Sequence, residues 1–430
     1  LAACGGNESQ TDSNSTDLAQ APAEQPNVPA ADNKPEESGK PIDIIVYSNS
    51  GGTKENFAIE YGDALKKALP QYNVQYIPKE SGSTFRNLLA SGQQIDILYD
   101  SIGFFADTVI DSGMSYDMTE LIKKAGVDIE RFDTTLIDAM RALADGGIYG
   151  LPIKNTIMLL YYNPEIFDHF GVDYPKDGMT WDEAIDLGRQ LTRTDGDKQY
   201  IGLSLSFGHY MRMNPYSVPY LDPETLEPTI NVNEHWKKMY QLLLDMTGDA
   251  GYQSYLSSNN NKLPSTPQFV NDQNLAMMGW LSGAIFPEIK WDIVSMPTFR
   301  DQPDIGTQSY PTYWSIASIS ENKEQAMEVI KYLVSDEFQM LLSENGTMPV
   351  VKDKAIQEAL GSKTEVSDRN YAAFFHNQLA PISVKHIHDQ AIETEYRREI
   401  GDLIGREKDL NSVLRTAEER AKNKLAELMQ

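Results

Sequence analysis

Residues 42–52 have the sequence IDIIVYSNSGG, in which a β-branched apolar run stops at a polar, glycine-containing turn. This pattern predicts a buried strand that ends near Ser48. Apolar residues then recur at helical spacing over residues 54–69, which Pro70 closes, and a second β-like run occupies residues 74–77. The order strand, helix, strand with short connections favours a parallel sheet covered by helices.

The same alternation continues along the chain and predicts the other elements of an α/β protein. Further strands are expected at residues 95–99, 157–162, 201–204, 275–278, 291–297 and 314–319. Further helices are expected at residues 85–89, 184–191, 234–247, 322–342 and 384–430. We expect the last of these to be almost wholly helical, because no proline interrupts it.

Two local motifs have a definite geometric meaning. Thr180 and Glu183 have the spacing of a capping box at the start of the helix predicted near residue 184. The segment Asp195-Gly196-Asp197 could suggest a calcium site. It lacks the other ligands of an EF-hand loop, so a polar hairpin turn is favoured.

The composition and charge of the chain argue against several classes of function. A chain of 430 residues is long enough to form at least two lobes. The formal net charge of −26 argues against a nucleic-acid partner, because phosphate binding needs clustered Lys and Arg. The single cysteine excludes an intrachain disulfide, the six histidines lack metal-site spacing, and no apolar run is long enough to span a bilayer. We therefore expect neither a metal nor a cofactor.

Residues 1–41 are expected to hold a membrane anchor and a disordered tether. The chain opens Leu1-Ala2-Ala3-Cys4 without a Met, and this start resembles the lipobox that ends a bacterial lipoprotein signal peptide. We expect residues 1–3 to be a signal-peptide remnant and Cys4 to carry the lipid, and an accidental cysteine is the alternative. Residues 5–40 are rich in Asn, Ser, Gln, Ala, Pro and Glu, so they cannot bury enough apolar surface to fold.

Motifs spread over residues 42–430 resemble the extracellular solute-binding proteins of bacterial ABC importers, in the family 1 sugar-binding group that includes maltose-binding proteins. The motifs are YGLP (149–152), LYYNPEIF (160–167), TWDEA (180–184), AMMGW (276–280), NKEQA (322–326), GTMP (346–349) and DLNSVLRTAE (409–418). The last motif is similar to the terminal helix of lipoprotein members from Gram-positive bacteria.

The resemblance implies an α/β, two-lobed periplasmic-binding-protein-like fold of type II, with hinge-connected lobes that each have a central sheet flanked by helices. On that template the first lobe holds residues 42–152 plus 314–348. The second lobe holds residues 153–313 plus 349–430. Ligand would bind in the cleft between the lobes, and hinge closure would bury it.

The resemblance also implies a function. The protein would be a non-enzymatic receptor that binds a mono- or oligosaccharide in the interlobe cleft and delivers it to the permease subunits of an ABC importer. A lipid anchor alone would hold it at the extracytoplasmic face of the cell membrane in a Gram-positive bacterium. It would act as a monomer, without a nucleic-acid partner.

Aromatic residues at strand ends are the first candidates for ligand contact, because aromatic rings cover the apolar faces of sugars. Trp280 ends a predicted strand at the position where family members commonly place a sugar-stacking tryptophan. Tyr313 and Trp314 fall at the predicted crossover between the lobes, and we expect one of them to contact ligand and the other to pack. Tyr162 also ends a predicted strand and suits either role. The other tryptophans are expected to pack.

Polar residues that follow strands are the second group of candidates. Asn49 follows the first predicted strand and Asp100 the third, so both are expected to line the first-lobe side of the cleft. Asn155 after the crossover and Arg212 are further candidates, although such residues more often form turns. The aromatic-rich segment 207–210 could add a subsite for a longer oligosaccharide.

Three alternatives stay open at this point. The same fold could bind a metal ion, a peptide or a polyamine, although Tyr161 and Tyr162 would point to opposite sides of one strand and could not both hold ferric ion. An anionic sugar such as a uronate is possible because Lys154 and Arg212 could neutralise it. A secreted glycoside hydrolase would need two carboxylates at a defined separation, and the sequence singles out no pair.

Overall fold

Two five-stranded sheets organise residues 40–80 and 85–429, the part of the chain that the computed structural model describes. Residues 41–430 belong to one unit. Cys4 and the predicted anchor and tether up to residue 39 lie outside the described residues. No helix within the described ranges is long and apolar enough to cross a membrane.

The strands of the described residues are short. They are β1 (Ile42–Ser48), β2 (Tyr72–Pro78), β3 (Ile97–Ser101), β4 (Leu151–Lys154), β5 (Met158–Tyr162), β6 (Arg193–Asp195), β7 (Lys198–Leu205), β8 (Leu275–Leu281), β9 (Asp292–Ser295), β10 (Ile305–Gln308), β11 (Thr312–Ile316) and β12 (Gln378–Ala380).

The first sheet has the strand order β2-β1-β3-β11-β4, and the second has the order β6-β7-β8-β5-β9. The predicted parallel pairing holds where β1 pairs with β2 and β3. Both sheets are nevertheless mixed, because β11 runs antiparallel to β3 and β4, and β5 runs antiparallel to β8 and β9. The chain passes from the first sheet to the second between β4 and β5, and it returns at β11.

Helices flank these sheets along the whole chain. Those up to residue 258 are α1 (Lys54–Phe57), α2 (Asp63–Ala68), α3 (Phe85–Ala90), α4 (Ile102–Phe105), α5 (Thr119–Ala125), α6 (Thr134–Leu143), α7 (Pro164–Phe170), α8 (Trp181–Leu191), α9 (Phe207–Arg212), α10 (Glu234–Met246) and α11 (Ala250–Ser258). The later ones are α12 (Thr266–Val270), α13 (Lys323–Leu333), α14 (Asp336–Glu344), α15 (Lys354–Glu358), α16 (Asp389–Arg397), α17 (Ile400–Ile404) and α18 (Leu410–Leu428). Two π-helical turns span Ala58–Gly62 and Ala106–Asp111, and two 3-10 turns span Ile129–Arg131 and Tyr371–Phe375.

Two helix predictions are wrong in their continuity. The helix expected at 322–342 is divided into α13 and α14, because the Ser335 side chain caps a new helix by accepting a hydrogen bond from the Phe338 backbone N–H. The segment expected to be helical from residue 384 starts its first helix at Asp389. It is then divided into α16, α17 and α18.

Two local predictions are confirmed. The Thr180 side chain accepts a hydrogen bond from the Glu183 backbone N–H, and the Glu183 carboxylate accepts one from the Thr180 backbone N–H. Helix α8 therefore begins with a capping box. The segment 195–197 joins β6 and β7 as a hairpin turn, with Gly196 at φ 58°. The α/β fold with two helix-flanked sheets confirms the predicted fold class, and the lobe boundaries at residues 152, 314 and 348 stay a prediction.

Candidate functional site

A cavity of about 270 Å³, here called the central cavity, lies where elements of the two sheets meet. From the first sheet side it is lined by Ser50–Gly52, Glu60, Tyr99, Ser101 and Phe104, and from the second by His209, Arg212 and Leu281. Lys154, Thr156, Tyr310 and Thr312, which lie where the chain passes between the sheets, complete its wall. Its wall therefore combines both halves of the molecule with the connecting segments.

The two strong cations of the central cavity have carboxylate partners. Lys154 forms an ion pair with Glu60, which the π-helical turn Ala58–Gly62 carries. Arg212 binds Glu393 through two hydrogen bonds, of 2.6 Å from Nε and 2.9 Å from Nη2. Burial alone would lower the pKa of Arg212, but the hydrogen bonds and charge of Glu393 raise it above its ordinary value. Glu60 balances the charge of Lys154, whereas Glu393 also accepts a hydrogen bond from Arg397 and is shared by two guanidinium groups.

A larger cavity of about 610 Å³, here called the lateral cavity, lies at the C-terminal ends of the strands β7 and β8 in the second sheet. Its walls come from the end of β7, from α9, from β8, from the loop 261–265 and from α16 to α17. The residues that line it include Phe207, Trp280, Lys262, Arg397 and Arg398.

Trp280 stands between the two cavities. Its partly exposed ring lines the lateral cavity and meets the His209 ring edge to face, with centroids 5.4 Å apart. His209 in turn lines the central cavity, and its Nδ1 is 2.7 Å from the Ser206 hydroxyl. Burial and the charge of Arg212 lower the pKa of His209 to about 4, so its imidazole is neutral at neutral pH. The two rings therefore separate the cavities, with Trp280 in the wall of the lateral cavity and His209 in the wall of the central cavity.

Asp100 organises the loop after β1 and is itself fully buried. Its Oδ1 accepts hydrogen bonds from the Ser50 backbone N–H at 2.7 Å and from the Ser50 hydroxyl at 2.5 Å. The backbone at Gly51, the next residue, lies so close to the Tyr99 hydroxyl that a Cβ atom at this position would be only 2.3 Å from it. Asp100 thus fixes the backbone that lines the central cavity, while burial raises the pKa of its carboxyl to about 6.

The predicted crossover residues are buried in this structure. Tyr313 donates a hydrogen bond of 2.6 Å to the Leu136 carbonyl, and Trp314 stacks on Tyr99 with centroids 5.0 Å apart. Neither side chain has exposed surface. The amide of Asn155 is also buried, where it accepts from the Tyr310 backbone N–H at 3.1 Å. The described residues that line the central cavity do not include these three, although Trp314 packs on Tyr99 and Asn155 bonds to Tyr310, which both line it.

Tyr162 and Trp280 lie toward opposite ends of the neighbouring strands β5 and β8 in the second sheet. Because β5 and β8 are antiparallel, Tyr162 pairs with Met277 near the start of β8, whereas Trp280 pairs with Leu159. Tyr162 is buried and donates to Asp292 Oδ2 over 3.4 Å. The register therefore separates two residues that the sequence places together as candidates.

Asn49 belongs to a third cavity, on the first-sheet side. Its amide Nδ2 is 3.5 Å from Asp107 Oδ2, and both residues line a space of about 520 Å³ together with Arg86 and Asp111. Among the eight predicted ligand-binding residues, the structure places Trp280 in the wall of the lateral cavity and Arg212 in that of the central cavity. Within residues 40–80 and 85–429, no cluster of three or more His, Cys, Asp or Glu could hold a metal ion.

Several residues that line the cavities were missed by the sequence interpretation. Glu60 and Tyr99 are ordinary members of a helical turn and a strand in the sequence, and Arg397 and Arg398 come from a helix more than a hundred residues beyond Trp280. Glu60 does lie in the π-helical turn Ala58–Gly62, and such turns are frequent at functional sites. This turn cannot be recognised before the structure is known.

The family profile of the bacterial extracellular solute-binding proteins matches residues 51–340, which is more than half of the chain. The chain belongs to this family. A curated Brucella abortus protein, named only as a binding protein, is 24% identical over 230 residues, which cover 50% of this chain and 53% of that protein. The chain thus spans about half the length of the curated relatives it matches.

Solved structures share the fold over nearly the whole chain. An ABC substrate-binding protein from Listeria monocytogenes, in complex with cycloalternan, has a TM-score of 0.70 at 17% identity and covers 90% of this chain and 100% of its own. A sugar transporter from Rhizobium etli in an open conformation has a TM-score of 0.68 at 18% identity, with 89% and 99% covered. A cyclic alpha-maltosyl-1,6-maltose binding protein from Arthrobacter globiformis gives 0.65 at 16% identity, with 90% and 99% covered. The fold is that of the two-lobed solute-binding proteins.

Proposed function

We propose that this protein is a receptor that binds a mono- or oligosaccharide between its two lobes and delivers it to the permease subunits of an ABC importer. One observation carries the proposal: Trp280 presents a partly exposed indole between two cavities of a solute-binding fold. A flat aromatic surface bordered by hydrogen-bonding groups matches the apolar faces and hydroxyl rim of a sugar. The solved relatives that bind cycloalternan and cyclic alpha-maltosyl-1,6-maltose give the saccharide class its support.

The ligand cleft lies between residues 42–152 plus 314–348 and residues 153–313 plus 349–430. The central cavity supports this division, because Tyr99 and Ser101 come from one side and His209 and Leu281 from the other. A hinge motion that separates the two sides would open the cavity to ligand. Direct ligand contact by Tyr162, Asn155, Tyr313 or Trp314 stays a prediction.

The receptor acts as a monomer at the extracytoplasmic face of a Gram-positive cell membrane, held there through lipid on Cys4. The extracellular family and the lipobox-like start of the chain support this location. Cys4→Ala should release the protein from the membrane fraction without changing its saccharide affinity. If the variant stays in that fraction, or if native protein carries an unmodified Leu1, the lipid anchor is wrong.

A binding role without catalysis is favoured over a glycoside hydrolase. Glycoside hydrolysis requires two suitably spaced carboxyl groups at the scissile bond. Glu60 is the one carboxylate among the described residues that line the central cavity, and it is paired with Lys154. Release of reducing ends from an oligosaccharide by the purified protein would contradict this assignment.

Intrinsic fluorescence gives a direct test of the proposed function. The other four tryptophans are at most 3% exposed, so a bound sugar should change the emission mainly through Trp280. A panel of mono- and oligosaccharides, including uronates, should contain ligands that shift the emission and give a saturable signal. Trp280→Phe should remove most of the signal while calorimetry still detects binding. If calorimetry detects no binding of any saccharide, the sugar assignment is wrong.

A further inference from the structure

The two cavities differ in the charge of their walls. The described residues that line the central cavity include two strong cations, Lys154 and Arg212, and one carboxylate, Glu60. The lateral cavity is lined by Lys262, Arg397 and Arg398, and its described lining residues include neither Asp nor Glu. The positive charge of this wall contrasts with the net charge of the whole chain, which is −26. A positively charged cavity on an acidic protein favours the binding of negatively charged ligands.

Part of this positive charge is not balanced by the neighbouring carboxylates. The buried carboxylate of Glu393 accepts hydrogen bonds from Arg212 and also from Arg397 Nη1, at 3.1 Å. Two guanidinium groups therefore share one carboxylate, and their cluster retains one positive charge. The Arg397 side chain is 47% exposed, so part of its guanidinium remains accessible to a ligand.

The backbone at Gly208 brings Arg397 close to the cavity wall. A Cβ atom at position 208 would lie 2.7 Å from Arg397 Cζ, so the guanidinium packs directly on the glycine beside Phe207. Lys262 adds a second positive charge from the loop 261–265. Its side chain is exposed, and no carboxylate in the described part of the chain forms an ion pair with it.

Helix-end electrostatics explain only part of this arrangement. Arg397 and Arg398 lie at the C-terminus of α16, where cations are favoured by the helix dipole, and Arg398 also binds Glu395 at 2.8 Å. Lys262 lies outside the described helices, so a helix dipole does not account for its position. The shared feature of the three cations is that they line the same cavity as the Trp280 indole.

We propose that the saccharide in the interlobe cleft extends past Trp280 into the lateral cavity of the second lobe, where Lys262, Arg397 and Arg398 bind a negatively charged group of the sugar while Trp280 covers an apolar sugar face. This inference rests on the proposed saccharide-binding function and names the chemical class of the ligand. A uronic carboxylate suits it well, since the planar guanidinium and carboxylate groups match in geometry. A sulfated sugar has the same charge and is the second source to be distinguished.

Calorimetry with matched sugars tests the inference on the full chain. Digalacturonate, its neutral counterpart galactobiose and a sulfated galactobiose are compared, and the same comparison is made for a glucose-based and a mannose-based set. The charged member of the best set should bind at least about tenfold more tightly than its neutral counterpart. Raising the salt concentration from about 20 mM to about 300 mM should weaken the charged ligand and leave the neutral one unchanged.

Substitutions at two of these cations test whether the preference for charged sugars arises in the lateral cavity. Lys262→Gln and Arg398→Gln should each weaken the charged ligand by about five- to tenfold and change the neutral one by less than about twofold. Lys237→Gln is the matched control, because Lys237 is an exposed lysine that lines a different cavity. Its affinities should be those of the unsubstituted protein.

The possible outcomes separate this inference from the proposed function. Neutral sugars that bind as tightly as charged ones, or charged sugars unaffected by both variants, would overturn the charge assignment and leave the saccharide receptor intact. Failure of every sugar to bind would overturn the receptor proposal together with the inference. Tighter binding of the sulfated than of the carboxylated member supports the inference and identifies the charged group as sulfate.

Discussion

Trp280 is the tryptophan whose surroundings set it apart. Trp181, Trp236, Trp291 and Trp314 fill the interior, whereas the Trp280 indole is partly exposed and touches His209 edge to face. Removal of a partly exposed ring leaves no cavity in the core, so it should cost little folding stability. The same removal should lower the affinity for ligand if the ring is in the binding site.

Trp280→Ala should weaken saccharide binding by about 2 kcal/mol, or roughly 30-fold, because centrally placed aromatic contacts dominate binding energies. Trp280→Phe keeps a ring and should retain most of the affinity. Calorimetry gives the affinities, and urea unfolding should show that each variant loses less than about 1 kcal/mol of stability. A Trp280→Ala protein with full affinity would exclude the indole from the site.

Asp100 should make folding stability depend on pH. Its pKa is raised by burial from 3.8 to about 6, so the unfolded chain ionises this carboxyl first as the pH rises. The contribution of Asp100 to stability is therefore full below about pH 4 and falls by about 3 kcal/mol as the pH passes 6. The Asp100→Asn variant lacks this titration. In urea unfolding, the stability of the unsubstituted protein relative to this variant should be highest near pH 4 and lowest at pH 7. A difference between the two proteins that does not vary with pH would contradict this.

At the scale of elements, the capping box of α8 contributes to stability in a measurable way. Thr180 accepts from the Glu183 backbone N–H and donates to its carboxylate at 2.9 Å. Thr180→Ala removes both contacts and should lower the free energy of unfolding by about 1 kcal/mol. Ser257→Ala serves as the control, since Ser257 is exposed and donates only to the carbonyl of Gln253 in its own helix. Equal losses in the two variants would show that the cap has no special role.

Elements with strong local signals could be predicted from the sequence, and those that depend on partners far along the chain could not. The strands at β1, β2 and β5 and the turn at Gly196 follow from apolar runs and turn residues. The division between α13 and α14 has a local cause in Ser335, which a helical periodicity does not exclude. The burial of Trp314 has a distant cause, because β11 lies between β3 and β4 and helices cover both faces of the sheet.

At the scale of the whole molecule, the site is assembled from segments that are distant in sequence. The lateral cavity combines the end of β7, strand β8, the loop 261–265 and the segment from α16 to α17. Trp280 could be selected from its position after a glycine at a strand end, but nothing near Arg397 or Arg398 indicates that they lie beside it. Charge at this site is a property of tertiary structure, so the sequence interpretation assigned it to Lys154 and Arg212 instead.

The same whole-molecule arrangement predicts how closure is stabilised. Gln390 of α16 donates a 2.6 Å hydrogen bond from Nε2 to the Gly103 carbonyl of α4, a contact between helices that flank different sheets. Such a bond exists only while the two halves are together, so it favours the closed state by about 1 kcal/mol. Gln390→Ala should therefore weaken saccharide affinity by roughly fivefold. Gln190→Ala is the control, because Gln190 is an exposed glutamine whose side chain bonds only to the Asp186 carbonyl in its own helix. Small-angle scattering should show a larger radius of gyration for Gln390→Ala than for the control at a subsaturating ligand concentration. Equal affinities and equal radii for the two variants would mean that Gln390 does not stabilise the closed state.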